Sequence, residues 1–66
     1  MLQLSYDPLW ETLTTRGMKK VNLQSIISSA ILKKLQNNEP VSLNVLMKLC
    51  ETLDTSIDRV VSFRNL

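Results

Sequence analysis

The chain has 66 residues, 44% of them hydrophobic, and a net charge of +2. That is room for one domain, expected over 1–66, with a folding margin of about 3–5 kcal/mol and no space for a second, catalytic unit. No apolar run approaches the roughly 20 residues of a membrane span. The start "MLQLSYDP" lacks the basic and apolar regions of an export signal, so the expected location is cytoplasmic. One cysteine, Cys50, and no histidine exclude an internal disulfide, the usual zinc ligand sets and the commonest general base. No enzyme activity, cofactor, metal site or catalytic residue is therefore expected.

In chain order, the first element opens at "YDPLWETLTTRGM". Asp7 suits an N-cap and Pro8 a first helical position, where its missing N–H costs nothing. Leu9, Trp10 and Leu13 share one stripe and Gly17 supplies a left-handed ending, so the pattern predicts a helix over about 8–16 with Trp10 in the core. "KKVNLQSII" brings Val21, Leu23 and Ile26 within helical reach and predicts a short helix over about 20–26. Ile27 then opens a third segment in which Ser28 caps a helix over about 29–37, with Leu32 and Leu35 inward and Asn38 as a left-handed cap before Pro40. Ser42 caps the densest apolar stripe, Leu43, Leu46, Leu49, Cys50 and Leu53, in a core helix over about 43–53. Cys50 reads as a small buried hydrophobe rather than a redox switch. Ser56 starts a brief fifth helix, about 57–62, before a frayed Arg64–Leu66. These elements predict an all-α domain, a compact five-helix bundle. The alternations Leu2, Leu4, Tyr6 and Val61, Phe63 add either a short antiparallel terminal ribbon or a dimer contact.

Charge is segregated along this order. From Thr12 to Asn38 there are five cations (Arg16, Lys19, Lys20, Lys33, Lys34) and no acid, whereas the rest of the chain sets three cations against six acids. One basic side is the expectation. It falls on "ISSAILKKLQNNEP", too polar for a core helix and too apolar for a loop.

The stretches "MKKVNL", "ISSAILKKL", "NNEPVSLNVLMKLCETLD" and "SIDRVVSF" together resemble the Cro/cI-type (Xre-like) helix-turn-helix transcriptional regulators, specifically the very small single-domain members. The third stretch is the most specific, joining a Pro loop, a capping Ser and a Leu/Cys-bearing helix. The resemblance implies a lambda-repressor-like fold that binds double-stranded DNA as a homodimer, with the helix over 29–37 in the major groove, and a regulator that represses transcription. Carried over by position, it implies base-edge contacts for Ser29, Ala30 and Lys34 and phosphate contacts for Ser28 and Asn37. Lys20 stands where the family holds a phosphate with Gln, trading geometry for charge. Lys33, on the same solvent face, is in reach of a phosphate. For Ser28 the cap role stands beside the DNA role, and Ala30 offers only close approach or contact with a thymine methyl. Ile31 replaces a small polar residue and must meet a methyl group, meet a partner protein or turn into the core. The segment between Leu23 and Ile27 is shorter than the family's and lacks its customary glycine, which demands a shorter second helix or a tighter turn. That departure sustains a second reading, a helix-turn-helix-derived protein-interaction module such as an antirepressor or antitoxin subunit, which binds a regulatory protein partner through Ile31.

Overall fold

The computed structural model describes Met1–Asn65. Its elements are β1 (Leu2–Ser5), α1 (Asp7–Thr15), a first 3-10 helix (Lys20–Ser25), α2 (Ser29–Gln36), α3 (Leu43–Leu53), a 3-10 turn (Ile57–Arg59) and β2 (Ser62–Asn65). The expected five-helix bundle is corrected to four helical segments, the second of them 3-10, plus one 3-10 turn and a two-stranded sheet. The expected helix over 57–62 stops at Arg59. Val60 is fully buried, and from Ser62 the chain pairs antiparallel with β1, Leu4 opposite Phe63 and Leu2 opposite Asn65. Backbone pairing with β1, and the Leu4–Phe63 cross-strand contact it brings, thus prevails over a last helical turn. The expected terminal ribbon is present. Arg64 and Asn65 belong to it rather than fraying, while Leu66 lies outside the described residues.

Three helices end in the same way. Gly17 (φ 68°), Asn38 (φ 56°) and Asp54 (φ 49°) are left-handed, and the next N–H in each case reaches back to a carbonyl: Met18 to Leu13 (2.8 Å), Glu39 to Lys34 (2.9 Å) and Thr55 to Cys50 (3.0 Å). This arrangement satisfies carbonyls that a helix end otherwise leaves without partners. At the other ends, the hydroxyls of Ser28 and Ser42 accept from the N–H groups of Ile31 (3.2 Å) and Val45 (3.3 Å), the capping role expected of both. Asp7 is not the cap of α1. It is the first helical residue, preceded by Tyr6, and its N–H donates to the Ser5 hydroxyl (3.3 Å). Its carboxylate instead pairs with Arg64 of β2, an exposed ion pair worth at most about 1 kcal/mol.

The first 3-10 helix answers the shortage of residues before Ile27. A 3-10 helix rises about 2.0 Å per residue against about 1.5 Å in an α-helix, so its six residues cover the length of roughly eight α-helical ones. The short sequence is stretched rather than cut back. Only Leu23 of this segment is buried, and Val21, within helical reach of it, is exposed.

The core gathers Tyr6, Leu9, Leu13, Leu23, Leu35, Leu49, Leu53 and Val60, each at most 2% exposed. Ile27 and Leu32 join them on either side of the Ser28 cap, in the positions of a hydrophobic staple. The inner stripe of α3 is centred on Leu49 and Leu53. Leu46 and Cys50 are half-buried at its flanks, and Leu43 is 74% exposed because it lies about 100° around the helix from that line. Trp10 is likewise half-buried rather than central. Burial, with a smaller push from the Asp58 charge, holds the Cys50 thiol above its ordinary pKa and disfavours the reactive thiolate.

Tyr6 ties the strand to the loop after α2. Its hydroxyl donates to the Glu39 carbonyl (2.7 Å) and its N–H donates to Asn38 Oδ1 (3.2 Å). Burial raises the phenol pKa, against a smaller lowering from the Val41 backbone.

Two outcomes follow from this packing. Leu49→Ala is expected to cost about 2–5 kcal/mol, measured by urea denaturation, which approaches the whole margin of so small a domain. For Tyr6 the folded pKa lies above the unfolded one, so its contribution is complete below about pH 10 and is lost as pH rises beyond it, where the unfolded chain releases its proton first. Tyr6→Phe is expected to lower stability by about 0.5–1.5 kcal/mol at neutral pH and to flatten the alkaline decline of the melting temperature.

Candidate nucleic-acid interface

The first 3-10 helix and α2 pack on one another across the Ser25–Ser28 turn. Asn22 shapes the start of this unit: its Oδ1 accepts from the Lys19 N–H (2.7 Å) and its own N–H donates to the Lys19 carbonyl (2.9 Å). Lys19 and Lys20 are thereby presented at the head of the 3-10 helix, both exposed. Ser28 caps α2 with one lone pair of its hydroxyl and keeps the proton available for an outside acceptor.

In α2, Leu32 and Leu35 are buried and Ile31 is half-buried against the same core. Ala30, Lys33, Lys34 and Asn37 are exposed and follow an i, i+3, i+4, i+7 spacing. At about 100° per residue these four lie on one stripe opposite the buried leucines. Ser29 is exposed beside them. All seven residues singled out from the sequence, Lys20, Ser28, Ser29, Ala30, Lys33, Lys34 and Asn37, are thus exposed on the 3-10 helix, on α2 and at the cap and terminus of α2. Among the described residues no carboxylate pairs with Lys19, Lys20, Lys33 or Lys34.

Arg16 does not belong with the lysines. Its guanidinium donates to the Asp54 carbonyl (3.5 Å), and it lines a polar cleft of about 700 Å³ with Glu11, Asp58 and Arg59. Asp58 accepts from the Ser56 hydroxyl there, and that bond chiefly holds its carboxyl below the ordinary value. The basic side is therefore carried by lysines alone. Ile31 is half-buried against the core, so only part of its side chain is exposed to a protein-docking use of α2.

Two features escaped the sequence reading. Lys20 Nζ sits 4.4 Å from the centroid of the Trp10 ring, a cation over an aromatic face across two elements. Asn38, read as a plain left-handed cap, also accepts the Tyr6 N–H. Neither contact has a local signature, since the partners are ten and 32 residues apart. Among the described residues no group of three or more His, Cys, Asp or Glu side chains is placed to hold a metal ion, and no helix is long and apolar enough to cross a membrane.

A capped helix presenting an unpaired basic and small-residue stripe, packed on a shorter helix through a tight turn, defines a helix-turn-helix unit. Residues 8–63 match the Cro/C1-type HTH DNA-binding domain, and the chain belongs to that family. Its fold is similar to that in the crystal structure of the transcriptional regulator VanUg, with a TM-score of 0.92 and 34% sequence identity over 98% of this chain and 89% of that one. No curated protein sequence matches the chain.

The Ser28 hydroxyl tests the local architecture. Ser28→Ala is expected to lower stability by about 1 kcal/mol, read as a shift in the urea midpoint, because the Ile31 N–H then loses its acceptor.

Proposed function

We propose that this protein is a transcriptional regulator that binds double-stranded DNA selectively as a homodimer, with α2 in the major groove. The observation that carries this reading is the exposed stripe Ala30, Lys33, Lys34 and Asn37 on a Ser-capped helix, without carboxylate partners among the described residues, in a chain of the Cro/C1-type family. The likeness to VanUg, titled a transcriptional regulator, supports the regulatory part. The major groove admits one α-helix, and short side chains in the first turn let the backbone approach the bases. Ser29 and Ala30 supply that approach, and Lys34 donates to a guanine edge. Lys20, Lys33, Ser28 and Asn37 hold phosphates, which fix register without carrying sequence information. Repression is the regulatory outcome that needs no more than occupancy of a promoter.

Dimerisation doubles a small contact and sets two recognition helices about one helical turn apart. The terminal ribbon supports this part of the reading. Leu2 and Phe63 are each 67% exposed and line an apolar groove of about 390 Å³ with Leu4, Val41 and Leu46. Phe63→Ser is expected to shift sedimentation equilibrium at micromolar concentration toward monomer without unfolding the chain; a wild-type protein that stays monomeric with and without DNA would overturn the dimer.

Binding separates the roles of the lysines. With Lys19, Lys20 and Lys33 of two subunits at phosphates, the slope of log affinity against log salt is expected near about −5. Lys20→Ala is expected to weaken binding to all duplexes alike and to flatten the slope by up to about two units, one per subunit. Lys34→Ala is expected to cost about 1–3 kcal/mol per half-site on the selected sequence and to relax preference at one base position. Selection from random-sequence duplexes at near-physiological salt supplies that sequence; no enriched motif, with both substitutions silent, would overturn the DNA reading.

A further inference from the structure

We propose that Trp10 is a positioning residue for DNA binding, a fixed aromatic platform that holds the Lys20 ammonium where a phosphate is to be met. The inference rests on the phosphate role given to Lys20 above and adds a residue of α1 to the binding apparatus. Three observations carry it. Lys20 Nζ lies 4.4 Å from the Trp10 ring centroid, within the range at which the negative face of an indole attracts a cation. The ring is half-buried and packs against the core from a helix whose neighbouring Leu9 and Leu13 are fully enclosed, so the indole is fixed and the lysine is the partner that becomes ordered. Among the described residues no carboxylate pairs with Lys20, so the ring is what restrains its head group.

The chemistry of the two partners makes this arrangement useful at a phosphate. A free lysine must surrender its rotamer freedom when it binds, and that loss reduces affinity. Stacking restricts the side chain before DNA arrives. The π face engages only the N–H directed at it and offers no lone pair or charge, so the outward N–H donors stay available to oxygens approaching from solvent. A carboxylate in the same place would order Lys20 as well, but it would cancel its charge and repel the phosphate. The aromatic face orders the cation and leaves it positive. The same contact joins α1 to the 3-10 helix and fixes the direction from which Lys20 reaches the duplex.

The test is a double-mutant cycle on the full chain, with affinity for a random-sequence duplex measured across a salt series for the wild type, Trp10→Leu, Lys20→Ala and the double variant. Trp10→Leu is expected to weaken binding about two- to fivefold for each Lys20 engaged. In the Lys20→Ala background the same substitution is expected to change nothing further, and Trp10→Phe, which keeps an aromatic face, is expected to recover part of the loss. Equal losses in both backgrounds, or no loss in either, would overturn the inference while leaving the phosphate role intact. A silent Lys20→Ala would overturn that role itself and the inference with it. Should Trp10→Leu fail to fold, proton NMR of the wild type decides: the Lys20 Cε protons are expected upfield of those of the other lysines through the indole ring current, and coincidence with them overturns the platform.

Discussion

Tyr6 is where the two halves of this small structure are fastened together. It follows β1 directly, and its carbonyl accepts the first bonds of α1, from the Leu9 N–H (2.9 Å) and the Trp10 N–H (3.3 Å). Its N–H and hydroxyl reach across to Asn38 and Glu39, the two residues that close α2. A ring that is 1% exposed thus satisfies its polar tip on the backbone and fixes the exit of α2 relative to α1 and the terminal ribbon. In a domain with about 3–5 kcal/mol to spare, few side chains can be asked to order three elements at once. An aromatic with a polar end can, because it contributes buried area and a directed hydrogen bond together.

The unit that faces DNA in our reading depends on this fastening. α2 has eight residues and two fully turned-in leucines, too little to hold an orientation by its own propensity. Its start is fixed by the Ser28 cap and by Ile27 and Leu32 on either side of it; its end is fixed by the left-handed Asn38 and by Tyr6. The preceding segment contributes length rather than stability. Drawn out as a 3-10 helix, it spans the gap that a shorter α-helix would have left, and it sets Lys20 against Trp10.

The charges divide in the same manner. Lysines occupy the exposed side of the helix-turn-helix unit, while Arg16, drawn to the Asp54 carbonyl, joins the acids of the cleft between α1 and the 3-10 turn. The polar stretch "ISSAILKKLQNNEP" is polar on one side only, and the apolar side chains that made it look ambiguous are those that turn inward.

Whatever depends on neighbours a few residues apart is legible in the amino-acid order alone. Ser28 and Ser42 as caps, Gly17 and Asn38 as left-handed endings, Leu32 and Leu35 inward, and Lys33 and Lys34 outward all follow from helical periodicity and from backbone donors and acceptors within one turn. So does the strand alternation at the two termini, because a period of two survives in a four-residue strand. Tertiary structure decided whatever depended on competition between distant partners. Ser62 and Phe63 could have extended a fifth helix, but β1 offered them a ladder 57 or more residues away in the chain. Val21, Leu43 and Trp10 satisfied the apolar pattern yet lie outside the core, since a small domain can enclose only the centre of each stripe. Ile31 had three destinations open to it and lies half-buried against the core. The second helix became 3-10 because its two ends were already fixed by the Gly17 turn and the Ser28 cap, and a chain held at both ends must adopt the rise that fits between them.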